Sequence, residues 1–301
     1  MRWHHSQLGD LRGRRAVVTG GNSGIGFATA RALAEHGADV TLACRDESAG
    51  RRAADRVDGE VRVEVLDLAA VESVRRFAAS WTAPLDILVN NAGVMAPPKP
   101  RRTADGYELQ FGTNHLGHFV LTGLLLPHLL AAGGRVVTVS SIAHRSAGED
   151  VLDGNAGAPY DSQRTYANSK LANLLFATEL HRELTARGLA ATSAAAHPGV
   201  SATGLFTDRQ GMGARPAVRL LGPVALAAAA ARPSAAARAT LYAATQAEPG
   251  SYTGPRLFGE TRGPIGPARR STLAQDEKLA RRLWQVSEEL TGFRYDWPAS
   301  G

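Results

Sequence analysis

The stretch "RRAVVTGGNSGIGFATARALAEHG" (14–37) constrains the fold more than any other part of this chain. "RRAVVTG" (14–20) is an apolar, β-branched run that reads as a buried strand, and "GIGFATARALAEHG" (24–37) has helical periodicity ending at Gly37. Gly20, Gly24 and Gly26 lie at the junction in the spacing G-x-x-x-G-x-G, with Asn22, Ser23 and Ile25 among them. Glycines there allow a tight turn, close approach of the backbone to an anion and close packing of helix on strand. The helix N-terminus then presents free N–H groups and its positive dipole end to a pyrophosphate. No G-K-[ST] follows, which argues against a P-loop nucleotidase. The turn predicts a bound dinucleotide.

The same unit repeats. Further strands are read at "DVTLACR" (39–45), "VRVEVLDL" (61–68), "LDILVNN" (85–91), "GRVVTVSS" (134–141), "LAATSAAAHPG" (189–199) and around 251–258. Helices are read near 46–57 and 70–80, between about 103 and 130, and over 166–184, 234–247 and 273–290. Alternation with short connections implies βαβ units. The expected fold is α/β, a Rossmann-type doubly wound parallel sheet of about seven strands with helices on both faces. At 301 residues the chain could form one large or two small domains, but no repeat or linker breaks the pattern. One domain is read over 1–301, with 259–301 as a C-terminal extension. From 200 to 232 glycine, proline and alanine replace periodicity.

Composition narrows the partners. Of 34 basic residues only Lys99, Lys170 and Lys278 are lysines, so the net charge of +6 is carried by arginines scattered along the chain. No aromatic-basic interleaving accompanies them, and no nucleic-acid partner is expected. The single cysteine, Cys44, excludes an internal disulfide and fits a reducing compartment. The N-terminal residues show no apolar h-region, and the longest apolar run (220–231) is broken by Gly222 and Pro223. A soluble, cytoplasmic protein without a membrane span is expected.

The end of the second strand bears on the choice of dinucleotide. A carboxylate there accepts bonds from ribose hydroxyls and suits NAD. This chain has Cys44 and then Arg45, whose guanidinium can grip a 2′-phosphate by paired bonds. NADP(H) is favoured over NAD. A shift of one residue in the strand would put Asp46 in the carboxylate's place, and Arg45 would then be merely solvated.

"YANSK" (166–170) places Tyr166 and Lys170 one helical turn apart, on one face. Asp67 follows the third strand, "NNAG" (90–93) the fourth, "NHLGHF" (114–119) lies in a helix and "VSS" (139–141) closes the fifth strand. In this order the motifs resemble the short-chain dehydrogenase/reductase family, strongly over about 12–200. "LACRD", "TNHLGHF" and "YANSKLANLLF" look most like its retinol-dehydrogenase-like branch, which acts on lipophilic alcohols and carbonyls.

The resemblance implies roles. Tyr166 would be the general acid or base; a free phenol titrates near pH 10, so it needs help at neutrality. Lys170 would favour the phenolate and bond the nicotinamide ribose. Ser141, in preference to Ser140, would polarise the substrate oxygen, and Asn114 would complete a proton relay to Lys170. Asp67 and Leu68 would flank the adenine, and Asn91, Ala92 and Gly93 the adenosine. Pro198, Gly199 and Val200 would border the nicotinamide, with Thr203 reaching its carboxamide. His115 and His118 lack an accompanying ligand set, so surface or packing roles are expected and no metal.

Ser141 and Tyr166 stand 25 positions apart, so 144–164 should form an extra loop beside the site. Segment 200–232 is either a substrate lid or a packed helical pair; as a lid, its leucines, valine and phenylalanine predict a small apolar substrate. The whole reads as an NADP(H)-dependent carbonyl reductase or alcohol dehydrogenase, compatible with a homo-oligomer. Two alternatives stand beside it: a ketone or C=C reductase of natural-product biosynthesis, and a catalytically silent NADP-binding regulatory protein.

Overall fold

The computed structural model describes residues 3–154, 159–200 and 231–298. Among these, eight strands form one sheet in the order β3-β2-β1-β4-β5-β6-β7-β8. They are β1 (Arg15–Thr19), β2 (Asp39–Cys44), β3 (Val61–Val65), β4 (Ile87–Asn90), β5 (Arg135–Val139), β6 (Thr192–Ala196), β7 (Tyr252–Leu257) and β8 (Arg262–Pro267). The first seven run parallel and β8 pairs antiparallel with β7. The chain winds outward from β1 to β3 and then returns to place β4 on β1's other side. That reversal opens a crevice between the carboxyl ends of β1 and β4, the place where such sheets bind ligands.

Both faces are covered. Helix α1 (Gly24–Glu35) and helix α6 (Pro233–Thr245) share one core with Val18, Val40, Leu42 and Val137. On the other face lie α3 (Val71–Ser80), α4 (Leu109–Ala132) and α5 (Ser162–Ala186), after the short α2 (Glu47–Ala54); α7 (Glu277–Thr291) closes the described order. Helix α4 is long and apolar enough to cross a membrane, yet 67% of its most apolar window is buried here. It is the core helix of that face, where Phe119, Leu121 and Leu125 are wholly enclosed.

The expected strands and helices are present, with differences at their margins. Strand β8, "RGPIGP", was not foreseen, because two glycines and two prolines mask a strand that only an edge position tolerates. Helix α5 starts at Ser162 rather than 166, since Asp161 accepts bonds from Gln163 N and Arg164 N. Helix α7 starts at 277 for the same reason, capped by Asp276. Where an extra loop is expected over 144–164, the described residues carry 3₁₀ turns at Ile142–Ser146 and Glu149–Asp153, with Val151 buried and Arg164 paired to Asp150.

Candidate active site

The crevice is a cleft of about 620 Å³, and its walls come from the carboxyl ends of β1 to β6 and from helix α5. The floor under the first wall is the glycine turn. Gly20 has φ 64, and a Cβ there would stand 3.2 Å from Ala92. At Gly26 a Cβ would collide with the Gly20 carbonyl and lie 2.5 Å from Asn91 Nδ2. Ser23 occupies the cap position of α1; its hydroxyl accepts no bond from the first turn, while its carbonyl accepts from Phe27 N at 3.0 Å. Gly24, Ile25 and Gly26 line the cleft, so the helix's first amides are presented to it and suit an anionic group.

A Gly26→Ala substitution should therefore cost about 2–3 kcal/mol by overpacking against backbone. The expected result is a melting temperature lower by about 5 °C and affinity for a dinucleotide reduced about 100-fold, read by thermal melts and fluorescence titration. Unchanged affinity would show that the turn can shift without losing its ligand.

Thr19, the last residue of β1, ties this turn to the next wall. Its Oγ1 accepts from Asn91 N and Ala92 N, both at 2.9 Å, and Asn91 Nδ2 donates to Thr19 O at 2.8 Å. Thus Asn91, Ala92 and Gly93 reach the cleft on a fixed backbone. Asp67 and Leu68 line it beyond β3, Asp67 also accepting from Ala69 N. Strand β2 ends at Cys44, so Arg45 and not Asp46 is the first residue past the strand. Arg45 is exposed at the cleft's rim, while the Asp46 carboxylate accepts from Ala49 N at 2.9 Å and caps α2.

The opposite wall carries the polar cluster. Ser141 follows β5; Tyr166 and Lys170 project from α5 and are 8% and 5% exposed. The Lys170 ammonium lies 5.8 Å from the Tyr166 ring centroid and donates to Val139 O at 3.2 Å. Burial pushes the Tyr166 phenol up to about 12, against which a hydrogen bond with Ser141 pulls it down. Burial also pushes Lys170 down to about 8. The expectation that Lys170 draws the phenol toward neutrality is thus outweighed here: desolvation dominates both groups. Pro198, Gly199 and Val200 border the cleft, with Val200 N donating to Thr261 O at 3.1 Å.

Asn114 is the exception among the described site residues, for it does not line the cleft. It is wholly buried behind Gly93, its Oδ1 accepting from Val94 N at 2.7 Å. Its Nδ2 donates to Val94 O and Ser169 Oγ. The side chain is therefore committed to holding the loop after β4. Thr203 and the segment taken as a lid, apart from its ends, lie outside the described residues.

Several lining residues were not foreseen. Met95 and Thr113 extend the wall past "NNAG", and Gln163, three positions before Tyr166, stands exposed at the mouth. Helical spacing back from Tyr166 would have found Gln163. Of the two expectations for the histidines, packing holds and surface does not. His115 bonds Ser287 Oγ at 2.7 Å, and His118 bridges Thr19 and Asn114. Among the described residues no group of histidine, cysteine or carboxylate side chains is placed to hold a metal.

A doubly wound sheet with a glycine-built anion cradle at its switch point defines a Rossmann-type dinucleotide-binding enzyme class. A family model for short chain dehydrogenases matches residues 14–212. Human retinol dehydrogenase 13 is 40% identical over 292 residues, covering 94% of this chain and 86% of the relative. Mouse polyprenol dehydrogenase is 42% identical over 294 residues, with 93% and 84% covered. Among solved structures, an uncharacterised protein from Mycobacterium paratuberculosis matches with TM-score 0.83 at 41% identity, over 99% of this chain and 100% of that one. RhlG of Pseudomonas aeruginosa, solved as an NADP active-site complex, matches with TM-score 0.61 at 28% identity over 81% and 95%. The chain belongs to the short-chain dehydrogenase/reductase family, on its retinol-dehydrogenase-like branch, and is an oxidoreductase by that membership.

Proposed function

We propose that this chain is an NADP(H)-dependent oxidoreductase that interconverts an apolar alcohol and its carbonyl compound, with Tyr166 as the proton-transfer group. The observation that carries the reading is the convergence of Ser141, Tyr166 and Lys170 on one wall of the cleft, opposite the glycine cradle. A bound nicotinamide would supply or accept the hydride. The cradle of Gly20, Gly24 and Gly26 would hold the pyrophosphate, and Lys170, on the cleft wall, would bond the nicotinamide ribose.

Ser141 and Tyr166 together offer a carbonyl oxygen two hydroxyl donors. The phenol, held up by burial, carries its proton at neutral pH and is a loaded acid for reduction. Lys170, on the same helix face, places a cation beside the oxyanion that forms when the phenol gives up its proton. The relatives named for retinol and polyprenol support an isoprenoid-type alcohol or aldehyde as substrate. The lone cysteine, buried at the end of β2, supports a cytoplasmic location.

Consumption of NADPH with all-trans-retinal and decanal as probes tests the reading. Turnover of at least one is expected; a protein that binds NADPH and reduces neither, nor oxidises the matching alcohols with NADP, overturns it. The NADP complexes among related structures and the engagement of Asp46 with α2 support NADP over NAD. Arg45→Asp should weaken NADPH binding by about 10–100-fold, the worth of a charge-assisted bond, with little change for NADH. Equal affinities before and after would remove Arg45 from the site.

A further inference from the structure

We propose that His118 is a positioning residue of the proton-transfer centre, whose ring clamps the Asn114 carbonyl to the Thr19 hydroxyl and so fixes the turn that supports Gly93 and Lys170. This rests on the Tyr166–Lys170 reading above. The ring is 1% exposed. Its Nδ1 lies 2.9 Å from the Asn114 main-chain oxygen, which can only accept, so Nδ1 carries the hydrogen. Burial, with Lys170 as the charged group nearby, holds His118 down to about 4, so the ring is neutral and Nε2 is bare. Nε2 therefore accepts from Thr19 Oγ1 at 2.8 Å. Thr19 Oγ1 in turn takes the amides of Asn91 and Ala92. One ring thus joins the end of β1, the loop after β4 and the Asn114 turn.

That turn needs a clamp. Residues Gly112–Leu116 form a π-helical segment in which Gly117 N reaches back to Gly112 O. Such wide turns interrupt the regular ladder and recur at functional sites. Asn114 uses it to hold both backbone groups of Val94 and to bond Ser169, the neighbour of Lys170 on α5. A Cβ on Gly93 would sit 3.0 Å from Asn114 Oδ1 and 3.5 Å from Lys170 Nζ, so a shift of this turn is felt directly at the ammonium. His118 is not a lining residue of the cleft, and its hydrogen bonds go to Asn114 and Thr19.

The two ring nitrogens can be separated by substitution. His118→Asn keeps a donor where Nδ1 stood and leaves the Thr19 hydroxyl to Val89 O, already 3.3 Å away. His118→Gln keeps an acceptor where Nε2 stood and leaves the Asn114 carbonyl without its donor. With NADPH and decanal, His118→Asn should hold kcat within about threefold of wild type. His118→Gln should lower kcat about 10-fold or more with KM for NADPH nearly unchanged, as small misplacements of reacting groups do. Wild-type kcat in His118→Gln overturns the proposal, as do equal losses in both variants that track their melting temperatures. Ring ¹⁵N signals of His118 at pH 7 should show a protonated Nδ1 and bare Nε2; the reverse tautomer also overturns it. Those signals need no turnover, whereas full activity in Tyr166→Phe would sink the proton-transfer reading itself.

Discussion

Tyr166→Phe is expected to lower NADPH-dependent aldehyde reduction about 10³-fold, within the range a positioned general acid contributes. The substitution removes one oxygen and leaves the ring in its place on α5, where it is 8% exposed. Ser141 loses its partner on Tyr166 but retains the bond it accepts from Ala143 N at 3.2 Å. NADPH affinity should stay within about twofold and the fold should stay intact, because one neutral buried hydrogen bond contributes only about 1 kcal/mol. The loss should fall on kcat and kcat/KM together, the signature of an interaction made in the transition state alone. Stopped-flow oxidation of NADPH with decanal, beside a fluorescence titration of the cofactor, reads both quantities. Full activity in the variant would mean that the proton comes from elsewhere, with Ser141 the next residue to substitute.

How far the sequence displays this site depends on what kind of constraint each residue answers. The turn at Gly20, Gly24 and Gly26 was legible because its glycines answer a steric demand within seven residues, and the structure shows a collision at Gly26 for any larger residue. The end of β2 was legible to within one residue: the sequence reads the strand over 39–45, and the structure ends it at Cys44, so that Arg45 follows it. Tyr166 and Lys170 were legible as a pair because helical spacing puts them on one face. Three things were not. Strand β8 exists only as a partner for β7, since its own residues disfavour a strand. The commitment of Asn114 to Val94 depends on a π-helical turn that no local pattern announces. The sequence leaves His118 a surface or a packing role, and burial selects packing. Its two hydrogen bonds join segments 99 and 4 residues away, and only the folded chain brings both to one ring.

Protonation was the least legible property, because it follows from burial rather than from residue type. Spacing alone has the Lys170 cation pulling the Tyr166 phenol down. The folded environment instead raises the phenol to about 12 and lowers the ammonium to about 8, with burial the largest cause in each case. In the free protein the phenol is therefore protonated across the neutral range, the form a general acid needs. The same burial also leaves the charged lysine as a burden on the fold.

That burden predicts a variant more stable than the natural chain. Lys170 falls from its ordinary value of 10.5 to about 8 on folding, so the unfolded chain binds more protons between those values. At pH 7, below both, the native state therefore carries a penalty of about 3 kcal/mol for keeping the ammonium buried. Lys170→Met keeps the length of the side chain and removes the charge. It gives up a bond to Val139 O, but Asn173 Nδ2 still donates to that carbonyl at 3.0 Å, so no acceptor is orphaned. The variant should be about 2 kcal/mol more stable than wild type at pH 7 in urea denaturation, the lost bond offsetting part of the gain. The sign is fixed by the direction of the shift. Wild type recovers stability as pH rises from 8 toward 10.5, so the advantage of Lys170→Met should shrink over that window and be gone above it. Activity should move the other way, falling at least about 100-fold at pH 7 as the cation beside Tyr166 disappears. A variant that is no more stable than wild type at pH 7 would show that the ammonium is well solvated in the cleft. A variant that is more stable and still active would remove Lys170 from the chemistry and leave Tyr166 and Ser141 to carry it, whereas stability gained with activity lost is the trade that active-site charges commonly embody.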